Sequence, residues 1–97
     1  MTDEILVDGK PIKYDRCPVS YMADGFKLYF ERGILPGSFG TALLENDLMG
    51  ACGKADQNNK LAIFQWCEWL YNYAPSSSFG SRERVTEYIK SRHTTAA

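Results

Sequence analysis

The chain has 97 residues, of which 44% are hydrophobic and 13% aromatic; 11 Lys and Arg stand against 12 Asp and Glu, for a formal net charge of -1. That is enough for one small domain with its own core and too little for a deep cleft plus a lid. The balance excludes a polycation, a bulk polyanion and extended disorder, so any contact with nucleic acid, or imitation of it, has to come from local patches.

Residues 4–14, EILVDGKPIKY, place Asp8-Gly9 between two short β-prone runs, which predicts a hairpin closed by a tight turn, with Pro11 on the edge strand. From Pro18 the period changes. Val19, Met22, Phe26, Tyr29 and Phe30 recur at three- and four-residue steps, the pattern of an amphipathic helix that Gly33 stops. Gly25 within it suggests a close helix crossing. After the apolar link Ile34-Leu35-Pro36-Gly37, with Ser38 as a cap, FGTALLENDLMGACGKA reads as one further helix that buries Phe39, Leu43, Leu44 and Leu48.

Residues 56–73, DQNNKLAIFQWCEWLYNY, hold both tryptophans and the densest apolar run. Leu61, Ile63, Phe64, Trp66, Cys67, Trp69, Leu70 and Tyr71 cover most of the helical circumference, which predicts a central helix packed on several sides, with Gln65, Glu68 and Asn72 as a polar stripe. Pro75 ends it, a serine-rich loop with Phe79 follows, and Ser81 caps a last helix that turns Val85, Tyr88 and Ile89 inward. The expectation is a single α+β domain over 1–97: a hairpin at 4–14 packed on a bundle of about four helices at 18–92. Cys17, Cys52 and Cys67 have no metal-type spacing and read as mostly buried, reduced thiols of a cytoplasmic protein, and no run is long and apolar enough to span a bilayer.

Nothing in the pattern recommends catalysis. The one histidine, His93, lies at the frayed C-terminal end, where nothing would orient it as a base. Gly33, Gly37, Gly40, Gly50 and Gly53 match no phosphate-loop spacing. Arg82, Arg84, Lys90 and Arg92 on the last helix suggest nucleic-acid contact, but Glu83 and Glu87 interrupt them. The acidic residues say more. Asp24 and Glu31 lie seven apart on one helix face, Glu45 and Asp47 on the next helix and Glu68 on the central one, an arrangement that can imitate spaced phosphate charge. With Tyr21 and Tyr29 they form the expected acidic and aromatic binding face.

Four stretches also carry a resemblance: Pro36 to Phe39, Leu44 to Met49, Ala55 to Asn59 and Tyr71 to Pro75. Over roughly residues 18–90 the chain resembles a widespread family of small proteins encoded by phages and prophages. In size and origin it is similar to the inhibitors that phages direct at host defence, including type I-F anti-CRISPR proteins. The residues lead to the expectation of a non-enzymatic protein without cofactor or metal, a monomer in preference to an oligomer, and the resemblance places it in the cytoplasm of a bacterial host. There it would bind Cas proteins of a crRNA-guided, Cascade-type surveillance complex and block target DNA, with DNA mimicry as one mode and no direct nucleic-acid contact. The alternative is a small helical DNA-binding regulator of a mobile element.

Overall fold

In the computed structural model, which describes residues 6–7 and 10–94, the apolar period that begins at Val19 becomes a 3-10 turn, Ser20–Met22, leading into helix α1, Ala23–Arg32. Gly33 ends α1 as expected: it adopts φ +71° and donates its N–H to the Tyr29 carbonyl at 2.9 Å. Five more helices follow: α2 (Ser38–Leu44), α3 (Leu48–Lys54), α4 (Gln57–Leu61), α5 (Ile63–Tyr73) and α6 (Arg82–Thr94). A 3-10 turn at Ser76–Ser78 bridges α5 and α6, and the Ser81 hydroxyl caps α6 by accepting from Arg84 N–H at 3.1 Å.

Two of the expected long helices are broken, each for a local reason. Between α2 and α3, Asn46 takes φ +63° and Asp47 turns its carboxylate onto the Gly50 N–H at 2.9 Å, starting a new helix. Asparagine tolerates the left-handed region and aspartate competes as a cap, so Glu45-Asn46-Asp47 stops one helix and starts another despite its apolar flanks. Between α4 and α5, Ala62 sits at φ -106°, ψ 13° and its N–H reaches the Asn59 carbonyl at 3.2 Å, a three-residue turn inside an otherwise helical run.

The α+β class is corrected: the described residues form a small helical bundle. Strand pairing is confined to Leu6–Val7 with Lys10–Pro11, antiparallel, and makes no sheet layer. Two residues a side cannot sustain a sheet, and Pro11 has no N–H to add. The expected turn residues Asp8 and Gly9 lie outside the described residues. Ile12, which was to extend the second strand, is instead a core side chain followed by a 3-10 turn at Tyr14–Arg16.

The core gathers Phe26, Tyr29 and Phe30 of α1, Phe39, Leu43 and Leu44 of α2, Trp66, Trp69 and Leu70 of α5, and Val85 and Tyr88 of α6. Phe26 lies 4.9 Å from Trp66 and meets Trp69 edge-on at 5.6 Å, both favourable aromatic geometries. The coverage expected for the 56–73 stretch is also corrected. Asn59, Trp66, Trp69 and Leu70 face inward, whereas Leu61, Phe64, Cys67 and Tyr71 face solvent. The thiols follow: Cys52 and Cys67 are exposed and Cys17 is half-buried.

Gly25 makes only ordinary contact with Pro36, so the close approach lies elsewhere, at Gly40. A methyl group there would stand 2.7 Å from Pro36 Cγ and 3.2 Å from Phe26 Cζ, whereas at Gly53 it would meet nothing within 4 Å. In urea unfolding, Gly40→Ala is expected to lower stability by about 1–3 kcal/mol through overpacking. Gly53→Ala, inside a helix with open space around it, is expected to raise it by about 0.5–1 kcal/mol. Equal effects of the two would contradict this packing.

Candidate functional site

The residues expected to form one acidic and aromatic face are placed in several different settings. Tyr29 leaves the face altogether: its ring is fully buried and its hydroxyl donates to the Ser78 carbonyl at 2.6 Å. A tyrosine read as a surface anchor is a core residue because the periodicity that put it on the inner face of α1 outweighs its polar tip. Glu45 is mostly covered, with a side chain 19% exposed, and Arg82 Nε approaches its carboxylate at 3.8 Å. Asp47 is exposed and caps α3.

Asp24 and Glu31 are brought together, as their spacing implied. They line a shallow 310 Å³ groove along α1 with Lys27, Leu28 and Arg32. Glu31 accepts from the Tyr14 hydroxyl at 3.3 Å, and burial, followed by the Glu31 charge, pushes the Tyr14 phenol well above its ordinary range. Tyr21 is exposed and donates to the Asp56 carboxylate while accepting from Asn58 Nδ2 at 3.3 Å. Asp56 also caps α4 through the Asn59 N–H at 2.8 Å. The Tyr21 hydroxyl first and that N–H second hold its carboxyl below the usual carboxylate range. Tyr21 thus fastens the α1 approach to the start of α4.

Glu68 is exposed on α5 where two grooves meet. One, of about 640 Å³, is lined by Leu43, Asn46, Leu70, Tyr71 and Phe79; the other, of about 310 Å³, by Arg16, Gln65, Asn72 and Tyr73. Because Asn46 sits between Glu45 and Asp47, the larger groove relates Glu68 to the α2–α3 turn. Asp24 and Glu31 line neither of these two grooves. By these grooves Glu68 lies toward the α2–α3 turn, and Asp24 with Glu31 lies along α1.

A different pattern was missed. Three exposed carboxylates have large exposed apolar residues near them in sequence: Asp24 has Leu28 four residues on, Asp47 is followed by Leu48 and Met49, and Glu68 has Phe64 and Tyr71. The α5 members escaped the sequence reading because an apolar side chain at helical spacing looks alike whether it faces a core or solvent. The signal was the polar Gln57, Lys60 and Glu68 interleaved with Leu61, Phe64 and Tyr71 at the same three- and four-residue steps.

The cations of α6 are engaged. Arg82 meets Glu45, Lys90 lies 3.8 Å from Glu87, Arg84 donates to the Ser76 carbonyl at 3.2 Å, and the Arg92 guanidinium lies 5.0 Å from the Tyr88 ring centroid. Among the described residues no three His, Cys, Asp or Glu side chains converge as a metal site would need, and no helix is long and apolar enough to cross a membrane. No protein-family model, curated relative or solved structure matches the chain.

Burial, with smaller contributions from Tyr88 and Glu45, raises the Tyr29 phenol well above its ordinary value of 10.0. A folded value above the unfolded one means that the native state holds its proton more tightly. The stability this contributes is complete below about pH 10 and is lost as pH rises toward the folded value. Melting temperature followed by circular dichroism is therefore expected to fall steeply above about pH 10, and less steeply in Tyr29→Phe. Equal slopes would show that Tyr29 does not carry the alkaline transition.

Proposed function

We propose that the protein acts by occupancy: a phage- or prophage-encoded inhibitor that binds the Cas proteins of a crRNA-guided, Cascade-type complex in the cytoplasm of a bacterial host and keeps target DNA from it. The observation that carries this reading is the pairing of exposed carboxylates with exposed apolar side chains, at Asp24 with Leu28 and at Asp47 with Leu48 and Met49. Such pairs suit arginine and lysine, whose stems lie along apolar surface while their heads bind carboxylate. A channel that holds a nucleic-acid backbone is lined with those two residues. The resemblance to small phage proteins over residues 18–90 points to the same class of partner.

The grouping of the carboxylates favours local contacts over imitation of a duplex. Glu45 is occupied by Arg82 and Tyr29 is internal, so neither belongs to the proposed contact set. The DNA-binding regulator draws no support from α6, whose cations are already engaged.

Purified protein used as bait in lysate of a bacterium carrying such a complex is expected to capture it, and target DNA to compete. Asp24→Asn and Asp47→Asn remove charge, and asparagine keeps the cap on α3, so both variants should fold. Each is expected to weaken capture by on the order of 1–4 kcal/mol. Failure to capture, or capture indifferent to both substitutions and to DNA, would overturn the proposal. Salt-dependent retardation of free duplex DNA by the protein alone would establish the regulator in its place.

A further inference from the structure

We propose that the outer face of α4–α5 is a self-association surface through which two copies of this chain pair antiparallel about a two-fold axis at Phe64. This goes beyond the inhibitory reading and departs from the monomer expected from the sequence.

The face is defined by its opposite. Asn59 and Trp66, seven residues apart, are both buried, and Trp66 Nε1 donates to Asn59 Oδ1 at 3.0 Å, so α4 and α5 keep one common inner side despite the turn at Ala62. The residues half a turn away therefore share one outer side: Gln57, Lys60, Leu61, Phe64, Cys67, Glu68 and Tyr71 are all exposed. Phe64 lies nearly opposite Trp66 at the middle of this face. Leu61 is 73% exposed, Phe64 70% and Tyr71 81%, a concentration of uncovered apolar surface on a single helical run.

The order of charges selects a second copy as the occupant. Lys60, Phe64 and Glu68 form one row at four-residue spacing, positive at one end, aromatic in the middle and negative at the other. Turned end for end against itself, that row sets Phe64 on Phe64 and each Lys60 on the other copy's Glu68. The same register places Leu61 against Cys67 and Gln57 against Tyr71, an apolar pair and an amide–hydroxyl pair. Phe64 meets its own copy once on the axis and every other contact occurs twice, as a two-fold interface requires. Neither Lys60 nor Glu68 has an ion-pair partner among the described residues of its own chain. A parallel pairing in register would set lysine on lysine and glutamate on glutamate, so the charges reject it.

One helix face per copy is smaller than the roughly 800 Å² per partner of a standard interface, so the association should be reversible and concentration-dependent. Pairing also takes Glu68 out of the contacts open to a host complex, leaving Asp24 and Asp47 for it.

Sedimentation equilibrium of the full chain, from low micromolar to near-millimolar concentration, tests the proposal. The native protein is expected to move from monomer toward dimer over that range. Lys60→Glu and Glu68→Lys each create two like-charge contacts and are expected to weaken dimerisation at least about tenfold, whereas the double reversal restores it to near the native level. In a background with both exposed thiols removed, Cys52→Ser with Cys67→Ser, Phe64→Cys is expected to form a disulfide-linked dimer under mild oxidation, because the axis brings that position onto its own copy. All the substituted positions are exposed, and circular dichroism checks that the fold is kept. A native protein monomeric throughout, a double reversal no better than the single ones, or a Phe64→Cys variant that does not cross-link would each overturn the proposal. Lysate capture reads the host partner separately, so either idea can fail while the other stands.

Discussion

Burying two indoles and two phenols in one small core obliges the chain to bring a hydrogen-bond acceptor to each polar tip. An unmet donor in that interior would cost about 1–3 kcal/mol. The acceptors come from four separate stretches. Trp66 donates to the Asn59 side chain and Trp69 to the Lys13 carbonyl, each at 3.0 Å, while Tyr29 donates to the Ser78 carbonyl and Tyr88 to the Phe30 carbonyl. This accounts for the two buried polar residues of the core. Asn59 is inside to receive Trp66, and the Ser76–Ser78 turn is drawn in so that its last carbonyl meets Tyr29 while the Ser78 hydroxyl bonds to Pro75. The rings supply most of the burial, and their tips fix which remote segments lie against which helices.

The inner halves of the helices were legible in the sequence. Phe26 and Phe30, and later Val85 and Tyr88, recur at a helical period and are buried as that period requires. The breaks were written in a weaker code. Asp47 with Gly50 three residues on has the spacing of a cap, but Leu43, Leu44 and Leu48 kept the apolar period running across it, and that longer signal masked the shorter one. The turn at Ala62 has no glycine or proline to announce it. At the N-terminus the β-prone runs flanking Asp8-Gly9 describe a local preference, and a two-residue pairing without further strands adds little to the fold.

The candidate surface was harder to read for a related reason. Helical spacing shows that side chains share a face and says nothing about whether that face is covered. Cys67, Phe64 and Tyr71 passed for core and are exposed, whereas Glu45 and Tyr29 passed for surface and are covered, each beside a neighbour distant in sequence: Arg82 beside Glu45, Ser78 at the Tyr29 hydroxyl. Asp24 with Glu31 was readable because both belong to one uninterrupted helix, where spacing and proximity coincide.

The molecule extends 38 × 32 × 19 Å, and with helices about 10 Å across its thin dimension holds two layers of them. The outer side of α4–α5 is exposed and is covered by none of the described residues. An unbroken apolar face in that position would invite contacts of any register and aggregation. Setting Lys60 and Glu68 at the two ends of the Phe64 row changes that. The charges are hydrated in the free chain, and on contact they accept one orientation and oppose the rest, so Phe64 supplies attraction and the flanking charges supply register. A face read as core from its apolar residues alone acquires its meaning from the polar residues set among them.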